Sequence, residues 1–561
     1  MKKWFVIGLA MVSLLLGFSG STFAEEPQYG GDLKMFIRPT INPFTWDAHD
    51  WGWKLNEDTG LVYEHLLVGD LQKGPRGSNV YSFEGDAWVP PNAVRGELAK
   101  SWELKQDPLR LEFQLREGIF WQARKGVMDS REFVAEDVVY FFNRVRSSKK
   151  YIPTYWDFID RWEAKGKYTV ICYLNEYNAN WQYRFGWGYY NAISPKEVVE
   201  AGPRDWRNIT GTGPYSLEKY QTGSYQHYVK NPNYWDSTVI DGKSYKLPFA
   251  DSIRYILNKD EQSRLSALRT AKVDLMAGIR WNFARELKQQ VPELKWSRRA
   301  YDSPPLFVMR MDTKPFDDIR VRRAMALAIN QEEIRDNYWG GEAQLFAYPY
   351  SPSWTGYYVP LDKQPQDVQE LYGYNPEKAK KLLAEAGYPN GFTVKAQVNS
   401  SYQPFMDQAQ LVVGYLAKVG VTLVLEPMEY RQVMGVMIKK AHGPAYFLGS
   451  GQGNPIMSLR KNFVSGQTWN AYMMADKDFD AKWNKALRTI DETEQIKMLQ
   501  ELVTDALQKV PFVQMPANYF YTAWWPWVKN VHGDSYVGAL LFGPIHARYW
   551  IDQKLKKQMG Y

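Results

Sequence analysis

Three groups of residues have types and spacing that could do chemistry. The first is Gly449-Ser450-Gly451-Gln452-Gly453-Asn454-Pro455, which follows an apolar run where a phosphate-cradling loop would sit. It lacks the Gly-Lys-Ser/Thr ending and Pro455 interrupts it, so nucleotide chemistry is not expected; the plain alternative is a tight turn. The second group is the six histidines, His49, His65, His227, His442, His532 and His546, scattered along the chain. With no H-E-x-x-H, no paired cysteines and no G-x-S-x-G, no metal, cofactor or catalytic triad is expected. The third group is aromatic and amide: Trp46, Trp51 and Trp53; Tyr350 and Trp354 in YPYSPSW; and Ser450, Gln452, Asn454, Trp469 and Asn470. Rings offer flat faces, and amides satisfy hydroxyls as both donor and acceptor. The bland alternative for each ring is core packing. No Asp or Glu occurs from Tyr430 through Ala475, a stretch of 46 residues.

The elements that must carry these residues read as mixed α and β. Gly31–Arg38 alternates like a first strand, and ELAKSWELKQDPLRLEFQL reads as two strands joined at Asp107-Pro108. Val134–Ser147 reads as a helix and Tyr168–Leu174 as a strand holding Cys172, the single cysteine, which is expected to be a small buried hydrophobe. Asp260–Thr270 and Trp281–Gln290 read as helices around the strand Val273–Ala277. Leu306–Met311 is a strand, followed by a helix capped by Asp318, with Val321, Ala324, Met325, Leu327, Ala328 and Ile329 on its apolar side. Asn375 caps the next helix, Pro376 opens it and Gly387 stops it. Phe392–Val398, Val421–Pro427 and Ala445–Leu448 read as strands, alternating with the helices Phe405–Val419 and Tyr430–Ala441. Phe479–Gln508 reads as one helical stretch and Phe512–Tyr521 as extended chain. Such alternation predicts a predominantly parallel α/β sheet.

The first 24 residues read as a secretory leader: Lys2-Lys3, a short apolar run, then Thr22-Phe23-Ala24 as a cleavage site. A mature chain beginning near Glu25 falls from +7 to +5 in formal charge, with no basic block, so no nucleic-acid partner is expected. No cysteine follows the leader to carry a lipid, which favours a periplasmic location over a lipid-anchored one. With 561 residues in all, more than one core is expected. The 23 Trp, 38 Tyr and 26 Phe fill large cores or stack on planar or sugar-like ligands.

PFDDIRVRRAMALAINQEEI, residues 315–334, resembles the "D-x-R-V-R-R-A-x-x-x-A-I-(N/D)" signature of the family 5 extracellular solute-binding proteins, which serve ABC importers of peptides, nickel and oligosaccharides. Further segments resemble the same family in the same order: YGGDL at 29–33, Ile41-Asn42-Pro43, GLVYEHL at 60–66, GELAKSW with LEFQLREGIFW, Phe133–Phe142, Gly211-Thr212-Gly213-Pro214-Tyr215 and Asn231–Trp235. The resemblance spans essentially the whole mature chain. It implies a two-lobed α/β periplasmic-binding-protein fold of the large, cluster C type. Lobe one would be 25–302 plus 520–561, with an extra subdomain at 66–194, and lobe two 303–519. The chain would cross between them near Ala300–Pro305 and Tyr519–Trp527. It further implies a binder rather than an enzyme, a monomer that closes on a small molecule and docks on an ABC permease in the membrane.

The resemblance also places Asn454 where peptide-binding members carry the Asp that holds a ligand ammonium. It puts Asn399-Ser400-Ser401-Tyr402 where dipeptide-binding members carry an Arg for the ligand carboxylate. Unless another acid such as Asp47 or Asp50 serves, a zwitterionic short peptide fits poorly. The expected ligand is therefore a neutral oligosaccharide, contacted by Trp46, Trp51, Tyr350, Trp354, Ser450, Gln452, Asn454 and Trp469, with an oligopeptide as the alternative. A secreted hydrolase on the same scaffold is the alternative of a different class.

Overall fold

The computed structural model describes residues 26–36, 45–50, 53–85, 87–148, 151–449 and 453–561. The leader, the Ile41-Asn42-Pro43 loop, Trp51, Ser450 and Gln452 lie outside the described residues.

Two sheets organise the chain. The larger runs, in order, Tyr215–Gln221, Tyr225–Lys230, Ser252–Ile256, Asp32–Phe36, Leu275–Ile279, Ala517–Trp524 and Lys295–Ala300. Asp32–Phe36 is parallel to both its neighbours, Ser252–Ile256 and Leu275–Ile279; the remaining pairs are antiparallel. The smaller sheet runs Val421–Met428, Phe392–Asn399, Ala445–Gly449, Pro305–Met309, Phe512–Gln514. Here Phe392–Asn399 is parallel to both its neighbours, and Pro305–Met309 is antiparallel to both of its own. The expected predominance of parallel pairing is thus corrected to mixed sheets. The reasons are local: Gln221 and Tyr225 are joined by a tight turn that forces antiparallel pairing, and Ala517–Trp524 arrives from the other sheet rather than through a βαβ crossover.

Two crossings connect the sheets and run side by side. Tyr301 N–H donates to the Asn518 carbonyl at 2.9 Å, and Met515 N–H to the Pro305 carbonyl at 2.8 Å. Ala343–Gln344 also pairs with the first residues of the strand Ala517–Trp524. A four-stranded antiparallel sheet, Ala99–Gln106, Leu109–Leu115, Thr169–Leu174 and Ile159–Lys165, forms a separate unit. The helix Ala135–Val145 covers it by stacking Phe142 flat on Trp162, centroids 4.4 Å apart. Cys172 is buried in it opposite Leu111.

The helix of the signature spans Ile319–Ala328, and Asp318 caps it by accepting from Arg320 N–H at 2.8 Å. Its apolar side enters the core beneath the smaller sheet with Phe307, Val394 and Phe447. Arg322 is buried and ties the helix down, donating to the carbonyls of Phe316 (2.7 Å) and Lys509 (2.8 Å). Asn330 then caps a new turn, accepting from Glu333 N–H. Asn375 caps the helix Pro376–Glu385 and Gly387, at φ +94°, ends it in a left-handed conformation glycine adopts freely. The stretch Phe479–Gln508 is two helices, Lys477–Arg488 and Glu492–Gln508, because Thr489 turns extended and Asp491 caps a fresh start by accepting from Glu494 N–H.

Candidate functional site

The Gly-rich loop leads from the strand Ala445–Gly449 into the helix Pro455–Phe463. Pro455 suits the first helical position. Asn454 caps the helix, its Oδ1 accepting from Met457 N–H at 2.9 Å, while its Nδ2 donates to Asn180 Oδ1, 274 positions earlier in the chain. The amide expected to face a ligand is therefore held at both ends by protein.

Asn180 belongs to a segment that also meets the helix Lys477–Arg488. Ala179 N–H donates to the Leu487 carbonyl at 2.9 Å, and Glu176 pairs with Arg488 at 2.7 Å. The short helix Trp181–Phe185 carries Arg184, which is 2 % exposed. Its guanidinium lies 3.8 Å from the ring centre of Tyr155 and donates to the Met457 sulfur at 3.3 Å. Arg460, one turn beyond Met457 and 4 % exposed, lies 4.3 Å from the same Tyr155 ring. Burial pushes both guanidinium groups below their ordinary range, and for Arg460 the charge of Arg184 adds to the effect.

The wall behind this helix is YPYSPSW. Tyr350 Oη donates to the Pro455 carbonyl at 3.0 Å and Ser458 Oγ to the Pro349 carbonyl at 3.0 Å. Tyr350 and Trp354 are both buried, with ring centres 5.3 Å apart. Trp354 packs against Trp88, and its Nε1 has no hydrogen-bond partner. Tyr350, Trp354 and Asn454 are thus brought together.

The other expected residues stand elsewhere. Trp46 meets Tyr220 edge-on at 5.2 Å beside Trp206, at an open cavity of about 480 Å³ rimmed by Arg204 and Arg207. Trp469 is half-buried beneath Lys461 at 5.1 Å. Asn470 is spent on its own loop, bonding Val464 and Met474. The two acids considered as substitute anchors are both engaged. Asp47 is paired with Arg144; burial works against ionisation, but Arg144 and the His49 N–H hold its carboxyl below the usual range. Asp50 is paired with Arg204.

Among the described residues, no cluster of His, Cys, Asp or Glu is arranged to hold a metal ion. Tyr155 thus gathers two guanidinium groups, each from a stretch without acids. Sequence reasoning missed Tyr155, Asn180, Arg184 and Arg460. One signal was available: Arg184 lies in an acid-free run from Tyr177 through Lys196, and Arg460 in the longer one already noted.

The profile described as bacterial extracellular solute-binding proteins, family 5 Middle, matches residues 93–471. The chain is 26 % identical over 470 residues to heme-binding protein A of Haemophilus influenzae, covering 78 % of this chain and 81 % of that protein. It is 26 % identical over 479 residues to di/tripeptide-binding protein 2 of Pseudomonas aeruginosa, covering 80 % and 85 %. In fold it is similar to the ABC transporter-associated periplasmic binding protein DppA from Helicobacter pylori in complex with peptide STSA. The TM-score is 0.74 at 22 % identity, covering 94 % of this chain and 99 % of that one.

Proposed function

The chain belongs to the bacterial extracellular solute-binding proteins of family 5, and from that membership we propose that it captures an oligopeptide-class ligand between its two lobes for an ABC importer. The observation that carries this reading is the seam where Asn180 and Arg184 of one lobe meet Asn454, Met457 and Arg460 of the other. Its donors suit the carbonyl and carboxylate oxygens of a peptide. Asn454, whose amide had favoured a sugar hydroxyl, already has two protein partners. The names of two similar proteins, the di/tripeptide-binding protein and the peptide-bound periplasmic protein, support the same ligand class.

The protein acts by binding and release, without catalysis, as a monomer in the periplasm after removal of its leader at Ala24. The lobe limits 25–302 with 520–561 and 303–519, and the subdomain 66–194, belong to the same proposal. Closure brings Tyr350, Trp354 and Asn454 to the ligand chamber. Among the described residues no helix is long and apolar enough to cross a membrane.

A thermal-shift and calorimetry screen of the mature chain tests this, with di- to nonapeptides in one panel and β-linked disaccharides in the other. Peptides should bind one to one, and at 100 times Kd should add about 2.7 kcal/mol of stability. They should also be recovered intact. Binding of disaccharides with no response to any peptide would replace the ligand class, and recovery of cleaved peptide would replace the binder reading.

A further inference from the structure

Arg184 is a buried cation whose contacts are all uncharged. They are the Met457 sulfur and the rings of Tyr155, Trp156 and Tyr183; among the described residues no carboxylate stands within ion-pair distance. Two other buried arginines find compensation. Arg548 pairs with Asp236 at 3.0 Å, and Arg322 saturates backbone carbonyls. A guanidinium removed from water without such compensation is costly, and a ring face offsets only part of that cost.

The second observation is where its neighbour comes from. Arg460 reaches the same Tyr155 ring from the helix of lobe two. With centres 3.8 and 4.3 Å from one ring centroid, the two guanidinium groups are at most about 8 Å apart. Like charges at that separation in a desolvated seam repel, and the repulsion grows as the lobes approach. An anion between them reverses the sign of the interaction. Two planar forks suit a carboxylate, which accepts paired N–H donors from one arginine and leaves lone pairs for another. A third observation agrees: the candidate partners for a ligand ammonium, Asp47 and Asp50, are already bound to Arg144 and Arg204.

We infer that Arg184 and Arg460, with Tyr155 between the lobes, form a carboxylate site that binds the anionic end of the ligand and couples its charge to closure. This rests on the oligopeptide reading above and narrows it: the preferred ligands carry a free carboxylate and gain little from a free amine. The segment Asn399-Ser400-Ser401-Tyr402 takes no part in it.

The test uses the full mature chain and di- to pentapeptides ending in alanine, each as the free acid, as the C-terminal amide and as the N-acetylated acid. Calorimetry should show the free acid binding at least tenfold tighter than the amide, and acetylation changing affinity less than threefold. Arg184→Met and Arg460→Met should each bring the free acid to within threefold of the amide measured on the same variant. Without ligand, Arg184→Met should melt at the same temperature as the wild type or higher, since a buried charge has gone; a purely structural arginine would lower it. Arg184→Lys keeps the charge without the fork and should fall between. Equal binding of acid and amide, with the variants indistinguishable from wild type, overturns the carboxylate site while leaving peptide capture intact. Failure of every peptide to bind overturns peptide capture itself. If Arg184→Met does not fold, the acid–amide comparison on the wild type and Arg460→Met still decides.

Discussion

Trp88 and Trp354 meet with ring centres 6.2 Å apart and planes inclined by 50°, with Tyr357 edge-on to Trp88 at 5.4 Å. On the proposed lobe limits the two rings lie on opposite lobes, and separation of the lobes exposes their contact to water. Ligand binding is therefore expected to shift the intrinsic tryptophan emission to the blue, and Trp88→Phe to remove at least half of that shift while leaving the fold intact. An unchanged shift in the variant would mean that the reporter lies elsewhere.

Arg322 supplies a stability prediction. Its guanidinium is buried and serves the carbonyls of Phe316 and Lys509, segments with no other tie to each other through that side chain. Arg322→Met keeps the volume and strands the carbonyls, so unfolding free energy should fall by about 2–3 kcal/mol. A urea titration reads this as a lower midpoint with the slope preserved; an unchanged midpoint would show that water replaces the guanidinium without loss.

Two histidines set an acid limit. Burial, then the nearby Arg144, push His49 down to about 3; burial, then Arg76, do the same to His546. Unfolded histidine titrates near 6.5, so the unfolded chain binds these protons first. Stability is whole above pH 6.5 and falls by about 1.4 kcal/mol per pH unit per histidine from there towards pH 3. Glu64 opposes this: burial, then Glu97, push its carboxyl up to about 8, so it costs stability as pH rises from 4.5 to 8. The wild-type curve alone mixes both effects. The difference between wild type and His546→Gln isolates one histidine and should change by about 2 kcal/mol between pH 7 and pH 5. Parallel curves would show that His546 is reached by protons in the folded state.

Asn454 is expected to act on its own lobe as much as on any ligand. Asn454→Ala removes a helix cap and the contact with Asn180, and should cost about 1 kcal/mol of stability. Asn454→Asp keeps the cap acceptor and should restore most of that loss. Equal destabilisation by both would locate the effect at Asn180 rather than at the cap.

Residues that act on their own chain neighbours were legible in the sequence. Asp318, Asn330 and Asn375 bond N–H groups two or three residues ahead, and each marks a helix start without reference to the rest of the molecule. The strands of the smaller sheet were legible for the same reason. Their direction was not, because the pairing of Pro305–Met309 with Phe512–Gln514 depends on where two hundred residues of intervening chain lead. The site shows the same division. Tyr350 and Trp354 could be grouped because they are close in sequence to one wall. Arg184 and Arg460 are 276 positions apart, and only the fold reveals that both rest on Tyr155. Trp46 looked like the other tryptophans by type, yet it packs on Tyr220, whose ring also meets Trp206.

The strand Ala517–Trp524 lies inside the larger sheet, between Leu275–Ile279 and Lys295–Ala300, which have no ladder with each other. A chain that emerges from its N-terminus onward has every strand of the smaller sheet once Gln514 is out. The larger sheet at that moment still has a gap, and its bare edge at Leu275–Ile279 waits for the last tenth of the polypeptide. The larger sheet therefore closes last although most of its strands are synthesised first. Its completion is a step of high contact order and slow by nature, so a newly made chain stays pliable until its final residues lock the sheet.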